Sequence, residues 1–343
     1  MPKTKSNIIV SPSGQLYGSE NVLFDFLEGS NKMYKVYVPK HSVFYEKLKN
    51  NSYNVKGYEN IKWLYFKVFL QLLFLKKNLF LNEAGHLSYV KLLAKVLPFR
   101  KFVVAIRLLE DCNSKLSILT GNITLIAVSN YIKSNVISNV VPKIVYDPYK
   151  LSENNNGISE KGKSPLLVIG IVGRVIESKG LNDILPLMKS ISVSKRINIE
   201  LNFYGSYNIE TAWFKKFENE LNSLVNLKYN FKGFTNEKSA IYDNCNLILH
   251  LNKVEALGRI IFEAIDFETP FLCYNAGGAG ELAELLGLSG NIIDVSTKTI
   301  NNETFEKYLF GSINKTNNFD IAKNIIEEKF APNNYANQIE SFL

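Results

Sequence analysis

Cysteine is scarce in this chain. Cys112, Cys245 and Cys273 are odd in number and scattered, and no Cys-x-x-Cys pair occurs. That excludes a disulfide framework and a structural zinc site of ordinary spacing. Long apolar runs are missing too. The greasiest stretch, residues 63–75, is interrupted by Lys67 and Gln71 and falls short of the ~20 residues a membrane-spanning helix needs. The first residues, MPKTKSNIIVSPSG, hold no apolar segment of signal-peptide length. The expectation is a cytoplasmic chain, unattached or peripheral on the inner face of the membrane.

What is present suffices for two folded domains. Of 343 residues, 46% are hydrophobic and 21% charged, and at ~150 residues per domain this supports about two cores. The net charge of +8 is unevenly spread: residues 1–150 hold 21 Lys+Arg against 9 Asp+Glu, and residues 151–343 hold 19 against 23. A basic half beside a mildly acidic one points to an anionic partner. On charge alone, nucleic acid and an anionic membrane surface are the candidates, and a basic solvated surface is the plain alternative.

Short apolar runs alternate with helical stretches throughout. Strands are predicted over 7–11, 35–39, 78–81, 102–106, 124–128 and 143–146, with helices over 19–28, 42–49, 61–76 and 86–96. Residues 152–165, polar and rich in Asn and Gly, read as a linker. Strands then follow over 166–172, 198–203, 227–231, 247–251 and 270–274. Helices are predicted over 180–191, 210–224, 238–242, 258–267, 280–286, 320–329 and 333–342. Such alternation predicts α/β domains with parallel sheets covered on both faces.

Three motifs compete for the chemistry. Residues 157–164, GISEKGKS, fit the P-loop formula letter for letter. A working P-loop needs a buried strand before it and a helix after it, whereas here a polar linker precedes and Pro165 follows, so no NTPase site is expected. Gly278-Ala-Gly280-Glu-Leu-Ala283 fits the dinucleotide fingerprint after the 270–274 strand, with Asp294 in the later strand-like run 291–295. That fingerprint normally belongs to the first strand–helix unit of a domain, which leaves a dinucleotide or nucleotide-sugar enzyme as a rival reading. The third constellation starts at Gly173-Arg174, where a buried strand ends, and continues with Lys179-Gly180 at a helix start. Glu255-Ala-Leu257-Gly258-Arg259 then lies after another strand, and Glu263 two turns along the next helix. Arg and Lys five residues apart can converge on one diphosphate, Arg as a planar fork and Lys as a point charge.

In this order the motifs resemble the donor domain of a retaining glycosyltransferase of family 4, from the GT-B group that builds bacterial polysaccharides. Glu255 and Glu263 match its E-x7-E signature; Gly173, Arg174, Lys179 and Gly180 match its strand–helix unit; Gly277, Gly278 and Glu281 match its G-G-x-x-E loop. Gly14 and Gly18 lie in a stretch like the family's Gly-rich first loop, and Val128-Ser129-Asn130 resembles a sequence near the end of its first domain. The resemblance implies a GT-B fold of two Rossmann-like doubly wound domains facing a cleft. It implies an acceptor-binding domain over 1–150, a linker over 151–165, a donor-binding domain over 166–332, and a last helix, 333–343, crossing back to the first domain.

By the same resemblance, Arg174 and Lys179 would hold the donor diphosphate and Glu255 and the Gly277–Gly278 loop the transferred sugar. Glu263 would take the ribose hydroxyls, and Gly258 and Arg259 would bring backbone amides close. Leu257 and Glu281 would also line the donor site, with Gly18 reaching it from the first half and Phe234 and Thr235 near the base. Gly14 and Arg107 would touch sugar or acceptor, although many members carry His where this chain has Arg107. The implied reaction transfers a sugar with retention to a lipid-linked or oligosaccharide acceptor of O-antigen or capsule synthesis. The donor would be a UDP-sugar, with a GDP-sugar as the alternative, acting as co-substrate; no further cofactor and no nucleic acid are implied. No two aspartates stand two apart, so a metal-bound Asp-x-Asp site is not expected. A degenerate, non-catalytic scaffold is the second rival, motivated by Arg107. Lys62, Lys67, Lys76 and Lys77 interleave with Trp63, Tyr65, Phe66, Phe69 and Phe74, a pattern suited to an anionic membrane surface or to a buried helix.

Overall fold

The computed structural model describes residues 6–152, 166–195, 198–224, 227–293 and 319–343. The P-loop look-alike and Asp294 lie outside them. The chain divides into two compact units, Met1–Lys150 with Glu327–Leu343 and Leu151–Ile326.

The first unit is built on seven parallel strands: β1 (Ile8–Val10), β2 (Lys35–Pro39), β3 (Val55–Tyr58), β4 (Leu79–Leu81), β5 (Phe102–Ile106), β6 (Ile123–Ala127) and β7 (Lys143–Ile144), in the order β3-β2-β1-β4-β5-β6-β7. Helices α1 (Gly18–Gly29), α2 (Val43–Asn50), α3 (Ile61–Phe74), α4 (Leu87–Val96) and α5 (Asn130–Asn135) connect them. Central strands such as β5, Phe-Val-Val-Ala-Ile, are buried along their whole length, as a sheet covered on both faces requires. Side chains of Ser42, Asn60 and Ser129 accept from the first-turn amides of α2, α3 and α5, the ordinary device for starting a helix.

The second unit carries six parallel strands: β8 (Leu166–Val172), β9 (Asn198–Tyr204), β10 (Leu227–Gly233), β11 (Leu247–His250), β12 (Phe271–Tyr274) and β13 (Ile292–Ile293), ordered β10-β9-β8-β11-β12-β13. Between them lie α6 (Ile184–Lys195), α7 (Ala212–Asn222), α8 (Lys238–Tyr242), α9 (Ile260–Asp266) and α10 (Gly277–Leu285). Ile169, Leu201, Phe203, Leu249 and Leu272 of the sheet pack with Ile184, Met188, Phe214 and Phe217 of the helices in one core. Two helices end the chain, α11 (Phe319–Lys329) and α12 (Pro332–Phe342). Tyr335, Ala336 and Ile339 of α12 enter the first unit's core beside Phe26 of α1. Its Glu340 accepts from the Tyr34 hydroxyl at 2.7 Å and pairs with Lys32 at 2.7 Å.

In each sheet the chain winds outward from one strand and then restarts on that strand's other side. The reversals fall between β1 and β4 and between β8 and β11, and the crevice beyond the carboxyl ends at such a reversal is where open α/β sheets bind ligands.

Candidate functional site

At the second reversal, β8 ends at Val172 and the chain turns through Gly173 and Arg174. A 3-10 turn, Glu177–Lys179, follows, then Gly180. The helix predicted to start at 180 starts at Ile184, because Gly180 adopts φ +75° and a second 3-10 turn intervenes. A Cβ at Gly180 would lie 2.0 Å from the Leu251 carbonyl oxygen. Only glycine therefore lets this loop close onto the end of β11, and that closure carries Lys179 to Glu255.

The contact is direct. Lys179 Nζ lies 2.9 Å from Glu255 Oε2, and the Asn252 side-chain amide donates to the same oxygen at 2.6 Å. Burial alone would raise the Glu255 carboxyl, but the charge of Lys179 and the bonds from Lys179 and Asn252 outweigh it and hold the group at about 2. Gly173, Arg174, Lys179, His250, Asn252 and Glu255 line one cavity. Arg174 is exposed, and its guanidinium has no hydrogen-bond or ion-pair partner among the described residues.

The next loop is fixed by backbone approach. The Gly278 amide donates to the Glu255 carbonyl at 2.7 Å, and a Cβ at Gly278 would lie 2.0 Å from the Ala256 carbonyl oxygen. The glycine pair at the start of α10 thus sits against the Glu255 loop. Gly258 is buried at φ +85°. Glu263 of α9 accepts from the Tyr242 hydroxyl at 2.6 Å and pairs with Lys238 at 3.2 Å. Phe234 is exposed and Thr235 caps the turn after β10, its Oγ1 accepting from the Glu237 amide. Leu257 is buried, so backbone is what it can offer a ligand. Glu281 is half-buried in α10. Among the described residues, no three His, Cys, Asp or Glu side chains gather as metal ligands would.

The corresponding edge of the first unit is built differently. Gly14 is buried against Ser42, and Gly18 lies exposed at the first position of α1. Arg107, after β5, is 6% exposed. Its guanidinium pairs with Asp147 and donates to the Asn82 backbone oxygen at 2.9 Å, to Asn82 Oδ1 at 3.3 Å and to the Tyr335 hydroxyl at 2.9 Å. Four of the five guanidinium N–H groups are thus engaged inside the unit, where a contact with sugar or acceptor is expected from the sequence. Nearby, Glu83 follows β4. Burial, then the charge of Glu20, pushes its carboxyl up to about 7.

Residues 153–323 match the family model described as Glycosyl transferases group 1. That match spans 171 of the chain's 343 residues. Over 175 residues the chain is 26% identical to the capsular polysaccharide biosynthesis glycosyltransferase CapM of Staphylococcus aureus, a match covering 45% of this chain and 44% of CapM. Less than half of that relative's length is therefore matched. HepE of Anabaena, solved in complex with UDP, superposes with a TM-score of 0.76 at 18% identity, covering 98% of each chain. Its complex with UDP-glucose gives 0.74 at 17%, again over 98% of each. The lipopolysaccharide outer core galactosyltransferase WaaB in its apo form gives 0.71 at 16%, over 99% of this chain and 100% of that one. With two doubly wound parallel sheets, the fold is GT-B.

Two residues of this site, Asn252 and His250, were missed by sequence reasoning. His250 ends β11, is buried, and its Nε2 lacks a hydrogen-bond partner among the described residues while facing Glu255 Oε2 at 3.9 Å. Burial favours its neutral form. The available signal was a lone polar residue closing an otherwise apolar strand, Leu-Ile-Leu-His.

Proposed function

We propose that the chain transfers a sugar from a nucleotide-sugar to a glycan or lipid-linked acceptor in cell-surface polysaccharide synthesis, retaining the anomeric configuration. The observation that carries this reading is the Lys179–Glu255–Asn252 cluster with Arg174 beside it, at the carboxyl edge where β8 and β11 diverge. A diphosphate there meets two cations, while a charged carboxylate is available to the hydroxyls of the attached sugar. As the glycosyl–phosphate bond breaks, negative charge grows on the departing diphosphate and fixed cations stabilise it. The departing phosphate then accepts the acceptor's proton on the same face, so no protein nucleophile and no resident metal is required of this site.

A UDP-sugar is the proposed donor, supported by the likeness to HepE, whose complexes hold UDP and UDP-glucose. The likeness to CapM supports a capsule-type product. The first unit is the proposed acceptor side, and the chain would work at the inner face of the cytoplasmic membrane. Calorimetric titration with UDP, GDP and ADP, followed by turnover with the matching sugars, tests this. UDP binding that Arg174→Ala weakens is expected; binding untouched by that change would overturn the assignment.

A further inference from the structure

Helix α3 is apolar almost all round, yet it lies at the surface. Leu64, Tyr65, Val68 and Leu72 are buried on one face. Trp63, Phe66, Leu70 and Phe74, spaced by three, four and four residues, fall on the opposite face. Trp63 is 58%, Phe66 48% and Phe74 71% exposed, and Leu70 is half-buried. The Trp63 and Phe66 rings stack at 5.1 Å, which makes a flat aromatic surface. A helix with both faces apolar normally has something on each, and here no described residue covers the outer one.

Charge decides the occupant. Exposed Lys62 and Lys67 border the stripe on either side, with Lys67 Nζ 6.0 Å from the centre of the Trp63 ring, and Lys76 is exposed just beyond its end. The neighbouring α4 is tied to α3 by the Tyr65–Tyr89 stack at 4.7 Å and by Arg100 Nε donating to the Leu72 carbonyl at 2.7 Å. This second helix and its exit expose Leu92, Val96 and Phe99 among Lys95 and Lys101. A second copy docked symmetrically on the stripe would bring these lysines against their own likenesses. An anionic lipid surface instead matches both features, with aromatic rings at headgroup level and lysines among lipid phosphates.

We propose that the outer face of α3, extended by α4, seats the first unit on an anionic bilayer. This deepens the functional reading by naming the surface through which a lipid-linked acceptor is met, and it stands or falls separately from the donor site. The chain has two tryptophans, Trp63 and Trp213, so Trp213→Phe leaves Trp63 as the only reporter. With vesicles containing phosphatidylglycerol at low salt, Trp63 emission should shift to the blue, brominated acyl chains should quench it, and the protein should float. Pure phosphatidylcholine should do none of this. Trp63→Ala with Phe66→Ala should weaken partitioning at least tenfold, and each of Lys62→Gln and Lys67→Gln about fivefold, with UDP affinity and melting temperature unchanged. No flotation and no shift at low salt would overturn the proposal. So would sedimentation showing a lipid-free dimer that Trp63→Ala dissociates. A protein that floats but binds no nucleotide would overturn only the transferase reading.

Discussion

The two carboxylates that follow the restarting strands are shifted in opposite directions by their surroundings. Glu255, after β11, is kept at about 2, whereas Glu83, after β4, is pushed up to about 7. Topology is the same at both places; the difference is which charge stands nearby. Beside Glu255 the Gly180 turn delivers Lys179, with Arg174 left to solvent. Beside Glu83 the neighbour is another carboxylate, Glu20, and the local cation, Arg107, is committed to Asp147 and Tyr335. One edge is thus electrostatically prepared for an anion with hydroxyls attached. The other is a polar core whose cation is already paired and whose carboxyl, Glu83, is pushed up to about 7.

The largest effect that would test this contrast is structural. Arg107→Ala leaves Asp147 buried without its cation, and breaking a buried pair on one side typically costs roughly 3–5 kcal/mol. At about 2–4 °C per kcal/mol for a unit of this size, melting of the first unit should fall by about 10 °C, with UDP affinity of the second unit unchanged. A small shift in melting with a large loss of acceptor turnover would instead return Arg107 to the site. Next comes Arg174→Ala, which removes the proposed contact to the diphosphate, one that would strengthen as charge develops there. The kcat should fall about 10²-fold, or about 2.7 kcal/mol of transition-state stabilisation, with no change in melting. Equal losses of stability and activity would erase the distinction between the two edges.

A smaller effect follows from Glu83. Its folded-state value lies above the usual 4.5, so the folded protein binds this proton more tightly than the unfolded chain. The stability this contributes is present at low pH and lost as pH rises toward about 7. Glu83→Gln removes the titration. The stability difference between the variant and the parent should therefore move in the variant's favour by about 2 kcal/mol between pH 5 and pH 8, as read by denaturant unfolding at each pH. A flat difference would mean that Glu83 is charged in a solvated setting and that the first edge is as open as the second.

How far the sequence could reveal this depended on the range of the contacts. β2, β5 and β8 form over the residues that their apolar runs predict, and the α/β alternation gave the fold class. β3 was not foreseen because Val-Lys-Gly-Tyr is short, half-buried and at the sheet's edge, where periodicity is weak and glycine argues against a strand. The start of α6 was misplaced because Gly180 serves the carbonyl of Leu251, 71 positions away, rather than its own helix. Arg174, Lys179, Glu255 and Glu263 could be named from spacing because their residue types carry the chemistry. The commitment of Arg107 could not, since its partners lie 40 and 228 positions along the chain and no local pattern links them. His250 was overlooked for the converse reason: an apolar strand context conceals a polar residue that becomes significant only beside Glu255.

The smallest expected effect sharpens the contrast within the second unit itself. Glu255 and Glu263 belong to one spacing signature, yet Glu255 is anchored by Lys179 and Asn252, and Glu263 by the Tyr242 hydroxyl and Lys238. If Glu255 faces the sugar and Glu263 the ribose, substitution of each should separate turnover from affinity. Glu263→Gln keeps the shape and an acceptor oxygen for Tyr242, but it weakens hydrogen bonds to a bound diol that are made equally before and during reaction. Interactions of that kind alter KM and leave kcat in place. Donor affinity should drop roughly fivefold, or about 1 kcal/mol, with kcat within twofold of the parent and UDP affinity falling in parallel, because UDP carries the same ribose. Were Glu263 only a strut between α8 and α9, the variant would melt earlier and bind UDP normally. Steady-state kinetics with UDP calorimetry on one preparation distinguish these outcomes, and a fall in kcat with affinity intact would move Glu263 to the sugar end of the donor.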